Sequence, residues 1–299
     1  MLRSTAKSLS KLDSWVLASR PKTLPAAVVP VVVGSALAIH DGKFNALASL
    51  IALTCSLLIQ IGTNFANDLY DFLAGTDKKD RVGPTRVLAS GLIKTAEMKI
   101  AIALVFGATF LLGLYLVYLG GWPILIIGIL SILAGLAYTA GPFPLAYNGL
   151  GDIFVFLFFG FVGTVGTYYV QTLTVTTLSI LSSIPVGALI TNILVVNNYR
   201  DIEEDFNNGK FTLAVKFGER FSRVQYVIFM ILSYAVLFFV YFFHKQSLIV
   251  FLPVLTLPMS LKLVRMIYTH KGKELNKTLE LTARLSAIYG FLFAIGILI

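Results

Sequence analysis

Two short stretches gather side chains suited to handling a phosphate. The first reads Asn64-Phe65-Ala66-Asn67-Asp68-Leu69-Tyr70-Asp71, with Asp77 and Asp80 following beyond Gly75. At helical spacing Asn64, Asn67, Asp68 and Asp71 share one face. The second reads Asn197-Asn198-Tyr199-Arg200-Asp201-Ile202-Glu203-Glu204-Asp205, and Asn197, Asp201 and Asp205 again fall at steps of four. Each stretch carries Asn-x3-Asp and follows a Thr-Asn pair, Thr63-Asn64 and Thr191-Asn192, which hints at a weak internal repeat. Acids at a helix end are ordinarily a solvated loop. Two matched carboxylate-and-amide faces, each with Arg and Lys nearby, ask for more. All-oxygen ligands of this type suit Mg²⁺, which keeps waters and shares carboxylates with substrate phosphates. A calcium-binding loop is excluded, because the run from Asp201 has no glycine at its sixth position. The implied chemistry is a divalent cation joining carboxylates to an anionic diphosphate.

The elements that must hold these faces are membrane helices. Of the 299 residues 57% are hydrophobic and only 13% charged, and the mean hydropathy is +0.83. An ordinary soluble domain carries about 25% charged residues, and a chain this apolar is not disordered. Runs approaching the ~20 residues that cross the hydrocarbon core fall at about 23–40, 46–66, 98–118, 122–139, 153–171, 177–197, 224–243, 247–264 and 282–299. The expected fold is an all-α polytopic membrane protein of nine transmembrane helices. Pro30, Pro185, Pro253 and Pro258 lie inside these runs and predict kinks.

Charge fixes the expected orientation. Threading the runs alternately across a bilayer places every Lys and Arg except Lys43 and Lys245 on one side. The positive-inside rule makes that side cytoplasmic, with the N-terminus there and the C-terminus opposite. The net charge of +9 then reads as anchoring to the bilayer, with no nucleic-acid partner. Both acid clusters fall at cytoplasmic helix ends, where a carboxylate at membrane depth costs roughly 2.5–3.5 kcal/mol and calls for a compensating cation. Residues 1–22 read as a retained cytoplasmic amphipathic segment, with Leu2, Leu9, Leu12 and Trp15 near one face. Residues 23–299 read as one membrane domain. Trp15 and Trp122 fall at expected water–lipid boundaries. The one cysteine, Cys55, cannot form an internal disulfide.

Other features have plainer readings. Gly160-x2-Gly163-x2-Gly166 predicts close helix packing and not a phosphate loop. The phenylalanines of 154–161 and 238–243 face lipid or core, with a few available to line an apolar channel. Asp152 is one of two acids between the two clusters, Glu97 being the other, and is read either as a substrate contact or as a helix cap. His40 and His244 fall on the far side, and His270 lies in a basic loop away from both clusters.

Taken together, these residues resemble the UbiA superfamily of intramembrane prenyltransferases over nearly the whole chain. Asn67-Asp68-x2-Asp71 resembles the first motif of that superfamily and Asp201-x3-Asp205 the second. Further stretches are similar to its 1,4-dihydroxy-2-naphthoate polyprenyltransferase branch. They are Arg20-Pro21-Lys22-Thr23-Leu24-Pro25, the run from Gly75 and Asp77 through Arg81, Gly83, Pro84 and Arg86, and Tyr138 with Gly141-Pro142. Gly149-x-Gly151-Asp152, Gly209-Lys210-x-Thr212 and Leu275-Asn276 complete the set.

The resemblance implies a helix bundle around a central cavity with both motifs at its cytoplasmic mouth. It implies catalysis through Mg²⁺ held by Asn67, Asp71, Asp201 and Asp205. Asp68, Asp77, Tyr138, Asp152 and Asn197 join the substrate contacts. No Lys or Arg occurs between Lys99 and Arg200, so any cation for the diphosphate comes from Lys22, Arg81, Arg86, Arg200 or Lys210, and Lys22 and Arg200 are best placed for the carboxylate of an acidic acceptor. The chain departs from the wider pattern in having Gly75 where a third acid is usual, and no lysine after Tyr138. The implied activity is transfer of a polyprenyl group from its diphosphate to 1,4-dihydroxy-2-naphthoate in the inner cell membrane. A 4-hydroxybenzoate or homogentisate type of acceptor is the nearest alternative. A lipid-diphosphate transporter is the alternative of another class, disfavoured because the polar groups gather at one membrane face.

Overall fold

The computed structural model describes residues 10–76, 86–244 and 246–299. Its helices are α1 (Lys11–Ser19), α2 (Pro25–His40), α3 (Ala46–Leu73), α4 (Thr95–Gly120), α5 (Trp122–Ala137), α6 (Gly151–Thr172), α7 (Thr177–Arg200), α8 (Ile202–Asn207), α9 (Leu213–His244), α10 (Leu248–Thr269) and α11 (Leu275–Leu298). Each apolar run of the sequence lies on one of them. Short polar caps set the starts: Ser10 bonds the Asp13 amide, Asn45 that of Ala48 and Thr176 that of Ser179, which satisfies donors a helix start leaves open. Pro25 begins α2, where a missing N–H costs nothing.

Seven helices among the described residues are long and apolar enough to cross a membrane. An eighth results if Lys11–Thr23 and Pro25–His40, bent by 52°, are one span. Trp122–Ala137 is apolar but has only 16 residues, about 24 Å of helix. The amphipathic segment is helical from Lys11 to Ser19, residues 1–9 lying outside the described part. Trp15 packs its ring on Phe65, centroids 5.4 Å apart, while Trp122 stands exposed.

Two packed sets frame the interior. One joins α2, α7, α9, α10 and α11 through residues such as Leu37, Leu189, Leu237, Leu263 and Phe293. The other joins α1, α3 and α4 through Ala18, Leu69, Met98 and Phe106, together with Val87 and Leu88. Buried polar contacts tie the first set together, as membrane helices allow: Asn192 Nδ2 donates to the Tyr226 carbonyl at 3.0 Å, and the hydroxyls of Tyr226 and Thr282 lie 2.9 Å apart.

The glycines of α6 divide their work. A Cβ at Gly160 would stand 3.0 Å from the Gly187 Cα, and one at Gly163 would stand 2.7 Å from Pro30, so both permit close packing. One at Gly166 meets nothing within 4 Å, so packing does not explain it. The middle of α6, Phe156–Val165, winds as a π-helix, a form that frequently marks functional sites.

Candidate active site

Helix α3 runs past its apolar stretch to Leu73 and carries the first acid face into the interior. The helix can continue because partners distant in sequence meet most of its polar groups, Asp68 Oδ1 staying buried without a hydrogen-bond partner. Asp68 Oδ2 accepts from the Val87 backbone amide at 3.1 Å. Asp71 Oδ2 accepts from Arg86 Nη2 at 2.8 Å, and its Oδ1 accepts from the Tyr147 hydroxyl at 2.9 Å. Asn67 Oδ1 accepts from Thr139 at 3.0 Å, and Asn64 Nδ2 donates to the Ser19 carbonyl at 2.9 Å. The Arg86–Asp71 pair is nearly buried, at 10% and 7% side-chain exposure.

The second face ends α7. Arg200 closes a two-pronged bond on Asp201, Nε to Oδ1 at 2.7 Å and Nη2 to Oδ2 at 2.6 Å. Two more of its N–H groups reach Asn276 Oδ1 at 2.7 Å and Asn197 Oδ1 at 2.9 Å. Arg200 therefore orients the second cluster. On α8, Asp205 lies 3.5 Å from the Lys210 ammonium, and its Oδ2 is buried without a hydrogen-bond partner. Burial pushes the Asp205 carboxyl up to about 6; Lys210 pulls it down and the Asp201 charge pushes it up further.

A cavity of ≈ 1260 Å³ opens beside these groups. Asn67, Asp71, Arg86, Tyr138, Asn197, Arg200 and Lys210 line its polar end, and Lys22 stands on its rim, paired with Glu280 at 3.0 Å. The depth is apolar, walled by residues such as Phe154, Phe158, Val162, Leu125 and Val117. Asp68, Asp201 and Asp205 stand behind this wall. So does Asp152, buried next to Tyr138, with Gln225 Nε2 3.4 Å from its Oδ1. Asp77 and Arg81 fall outside the described residues.

The sequence reading missed four residues of this mouth. Arg20 lines the cavity from the turn between α1 and α2, held at φ 51° just before Pro21. Thr139, Tyr147 and Asn276 anchor Asn67, Asp71 and Arg200 respectively. The arginine and Asn276 stood in recognisable motifs, whereas nothing in the pattern singled out Thr139 or Tyr147.

Among the described residues no three His, Cys, Asp or Glu side chains form a ready metal cage. Mg²⁺ does not require one, since it is held by one or two carboxylates, waters and substrate phosphates. The donors present are hard oxygens, and Asp205 Oδ2 is a buried acceptor left open for a cation. This donor set fits Mg²⁺.

The model of the UbiA prenyltransferase family matches residues 27–288. A 1,4-dihydroxy-2-naphthoate octaprenyltransferase of Escherichia coli (strain K12) is 37% identical, over 98% of this chain and 97% of the relative. That of Haemophilus influenzae (strain ATCC 51907 / DSM 11121 / KW20 / Rd) is also 37% identical, over 100% of both. The solved structure of a UbiA homolog from Archaeoglobus fulgidus bound to DMAPP and Mg2+ has a TM-score of 0.68 at 15% identity, covering 94% of this chain and 99% of that one. At that identity the likeness concerns the fold.

Proposed function

The chain belongs to the UbiA prenyltransferase family, and we propose that it transfers a polyprenyl group from polyprenyl diphosphate to 1,4-dihydroxy-2-naphthoate. Diphosphate and CO₂ leave, and the product is the demethylated quinol of menaquinone synthesis. One observation carries this reading best: cations, amides and Asp71 crowd one end of a deep cavity whose remainder is apolar. That division suits a molecule with an anionic head and a hydrocarbon tail.

The residues divide the work accordingly. Lys22, Arg86 and Lys210 attract the diphosphate, and Arg81 is assigned to the same task on its motif alone. Asn67, Asp71, Asp201 and Asp205 would hold Mg²⁺ through their side-chain oxygens. Bound there, Mg²⁺ supplies Lewis-acid stabilisation of the departing diphosphate. The allylic C–O bond breaks with its electron pair going to diphosphate. The naphthoate carbon bearing the carboxylate attacks the allylic cation, and the C–COO⁻ pair returns to the ring as CO₂ departs. No ring proton has to be removed, so no histidine base is needed; His40 sits by Gln246 and His270 by Thr278. The apolar walls keep water from the cation, and the site holds the ring within reach of it. Tyr138 and Asn197 shape the mouth with Asp68 and Asp152 behind them, and Asp77 is assigned to the substrate contacts on its motif alone.

The topology follows the same reading. With α2 and α5 both spanning, the chain crosses the inner cell membrane nine times, N-terminus inside and C-terminus outside. Residues 1–22 lie on the cytoplasmic surface and 23–299 form the membrane domain.

Product analysis tests the chemistry. Purified protein with Mg²⁺, labelled polyprenyl diphosphate and the naphthoate is expected to release CO₂ in equal amount to a prenylated naphthalenediol. A product that keeps its carboxylate sinks the scheme. Turnover of 4-hydroxybenzoate or homogentisate alone moves the acceptor to that type, and passage of intact lipid diphosphate across vesicles makes the chain a transporter.

The path of the tail gives a second expected result. Gly113 on α4, Gly128 on α5 and Gly166 on α6 line the cavity, and a Cβ at any of them meets nothing within 4 Å. Glycine there lowers helix stability by roughly 0.5–1 kcal/mol relative to alanine, and no packing demands it. Leucine at one of these positions intrudes on a long tail, a misfit of about 1–3 kcal/mol. Its kcat/KM for octaprenyl diphosphate should fall about ten- to hundredfold while that for geranyl diphosphate holds. Gly107→Leu, on α4 but away from the cavity lining, should change neither. Equal losses with both donors remove the glycines from the tail's path.

A further inference from the structure

The two acid clusters come from opposite halves of the chain, and one side chain touches the machinery of both. Tyr147 sits in the short turn Ala146–Asn148 between α5 and α6. Its hydroxyl donates to Asp71 Oδ1 at 2.9 Å and lies 3.1 Å from Thr76 Oγ1. Its ring faces the Lys210 ammonium, 5.8 Å from the centroid, within the range of a cation–π contact. Its carbonyl accepts from the Phe211 amide at 2.9 Å. The docking is reinforced nearby: Lys216 Nζ donates to the Asn148 carbonyl at 2.7 Å, and Asn208 Nδ2 donates to the Thr76 carbonyl at 3.1 Å.

We propose that Tyr147 is a positioning residue that couples the two acid clusters, its hydroxyl placing Asp71 and its ring placing Lys210. This rests on reading the mouth as a Mg²⁺–diphosphate site. The hydroxyl leaves Asp71 with a defined orientation while Arg86 occupies the other oxygen. The ring keeps Lys210 from collapsing wholly onto Asp205, 3.5 Å away, and so keeps its charge facing the cavity. Mg²⁺ on the first cluster and an anion on the second are then read by one rigid aromatic body. Binding at either should strengthen binding at the other, by the same factor in both directions.

The two contacts separate by substitution. Tyr147→Phe removes the bond to Asp71 and keeps the ring under Lys210, whereas Tyr147→Leu removes both. The measurement is thermal melting of the detergent-solubilised chain titrated with inorganic pyrophosphate and Mg²⁺, separately and together. In the parent protein each should lower the half-saturating concentration of the other. In Tyr147→Phe the half-saturating Mg²⁺ is expected to rise about tenfold, the worth of a hydrogen bond to a charged group, with pyrophosphate alone binding as before. In Tyr147→Leu both affinities should fall and the mutual effect should vanish. Turnover should follow the same order, with Mg²⁺ in excess rescuing Tyr147→Phe but not Tyr147→Leu.

Variants that melt earlier without ligand yet keep the parent's Mg²⁺ and pyrophosphate titrations overturn the proposal, because Tyr147 would then merely support the turn. A mutual effect preserved in Tyr147→Leu also overturns it. A parent protein that binds neither ligand, by contrast, strikes the diphosphate reading itself.

Discussion

Asp71→Asn is expected to lower kcat/KM for polyprenyl diphosphate about a thousandfold, the upper range for loss of one preorganised electrostatic group. The substitution keeps the shape and one acceptor oxygen but removes the charge that draws a divalent cation to the mouth. It also removes a carboxylate that Arg86 bonds at a place where both side chains are nearly buried. Breaking such a pair from one side costs up to about 3–5 kcal/mol, less here because the pair borders an open cavity. A lower melting temperature therefore accompanies the loss of turnover. The double variant Asp71→Asn with Arg86→Gln separates the two effects, because it removes both charges of the pair. Its melting temperature should recover most of the way, while turnover stays at the level of the single variant. Recovery of turnover along with stability would make the pair a structural tie and remove Asp71 from the chemistry.

The membrane helices were legible because an apolar run of span length has few other uses. Their ends were less so. The apolar stretch of the second helix stops at 66, where amides and carboxylates begin, but α3 continues to Leu73. Arg86 and the Val87 amide, which make that extension tolerable, stand across a loop that periodicity cannot bridge. The middle of α6 is apolar on every side and thus carries no phase. No pattern could tell that Gly160 and Gly163 pack against neighbours whereas Gly166 faces the cavity.

The site was legible by residue type more than by contact. Carboxylates, amides and cations at two helix ends marked the mouth, and the cavity lies beside them. What each cation does was hidden, because a charge count treats every arginine alike. Arg20 and Arg200 counted equally as anchors of topology. In the fold both line the cavity, and the second is also buried with four hydrogen bonds to three side chains. Thr139 and Tyr147 carried no signal, since a lone hydroxyl gains its role only from what the fold sets beside it.

Arg200→Leu is expected to be the most damaging single change to stability. Arg200 and Asp201 have side-chain exposures of 2% and 3%, so solvent screens the pair little. Removing the guanidinium takes two hydrogen bonds from the buried Asp201 carboxylate and one each from Asn197 and Asn276. A one-sided break of this kind costs about 3–5 kcal/mol, a large part of the ~5–15 kcal/mol that holds a domain folded. Poor accumulation in the membrane and a steep drop in melting temperature should result. Arg200→Lys should fall between, because one ammonium cannot reproduce the planar fork that reaches both Asp201 oxygens. Joining Arg200→Leu with Asp201→Leu removes the carboxylate as well, so stability should return in large part while turnover does not. The rival role, a cation for the naphthoate carboxylate, makes a different forecast. In that case Arg200→Lys would raise the KM for the naphthoate and leave melting untouched. Melting curves and acceptor titrations on that one variant decide between an arginine that builds the second acid cluster and one that receives the substrate.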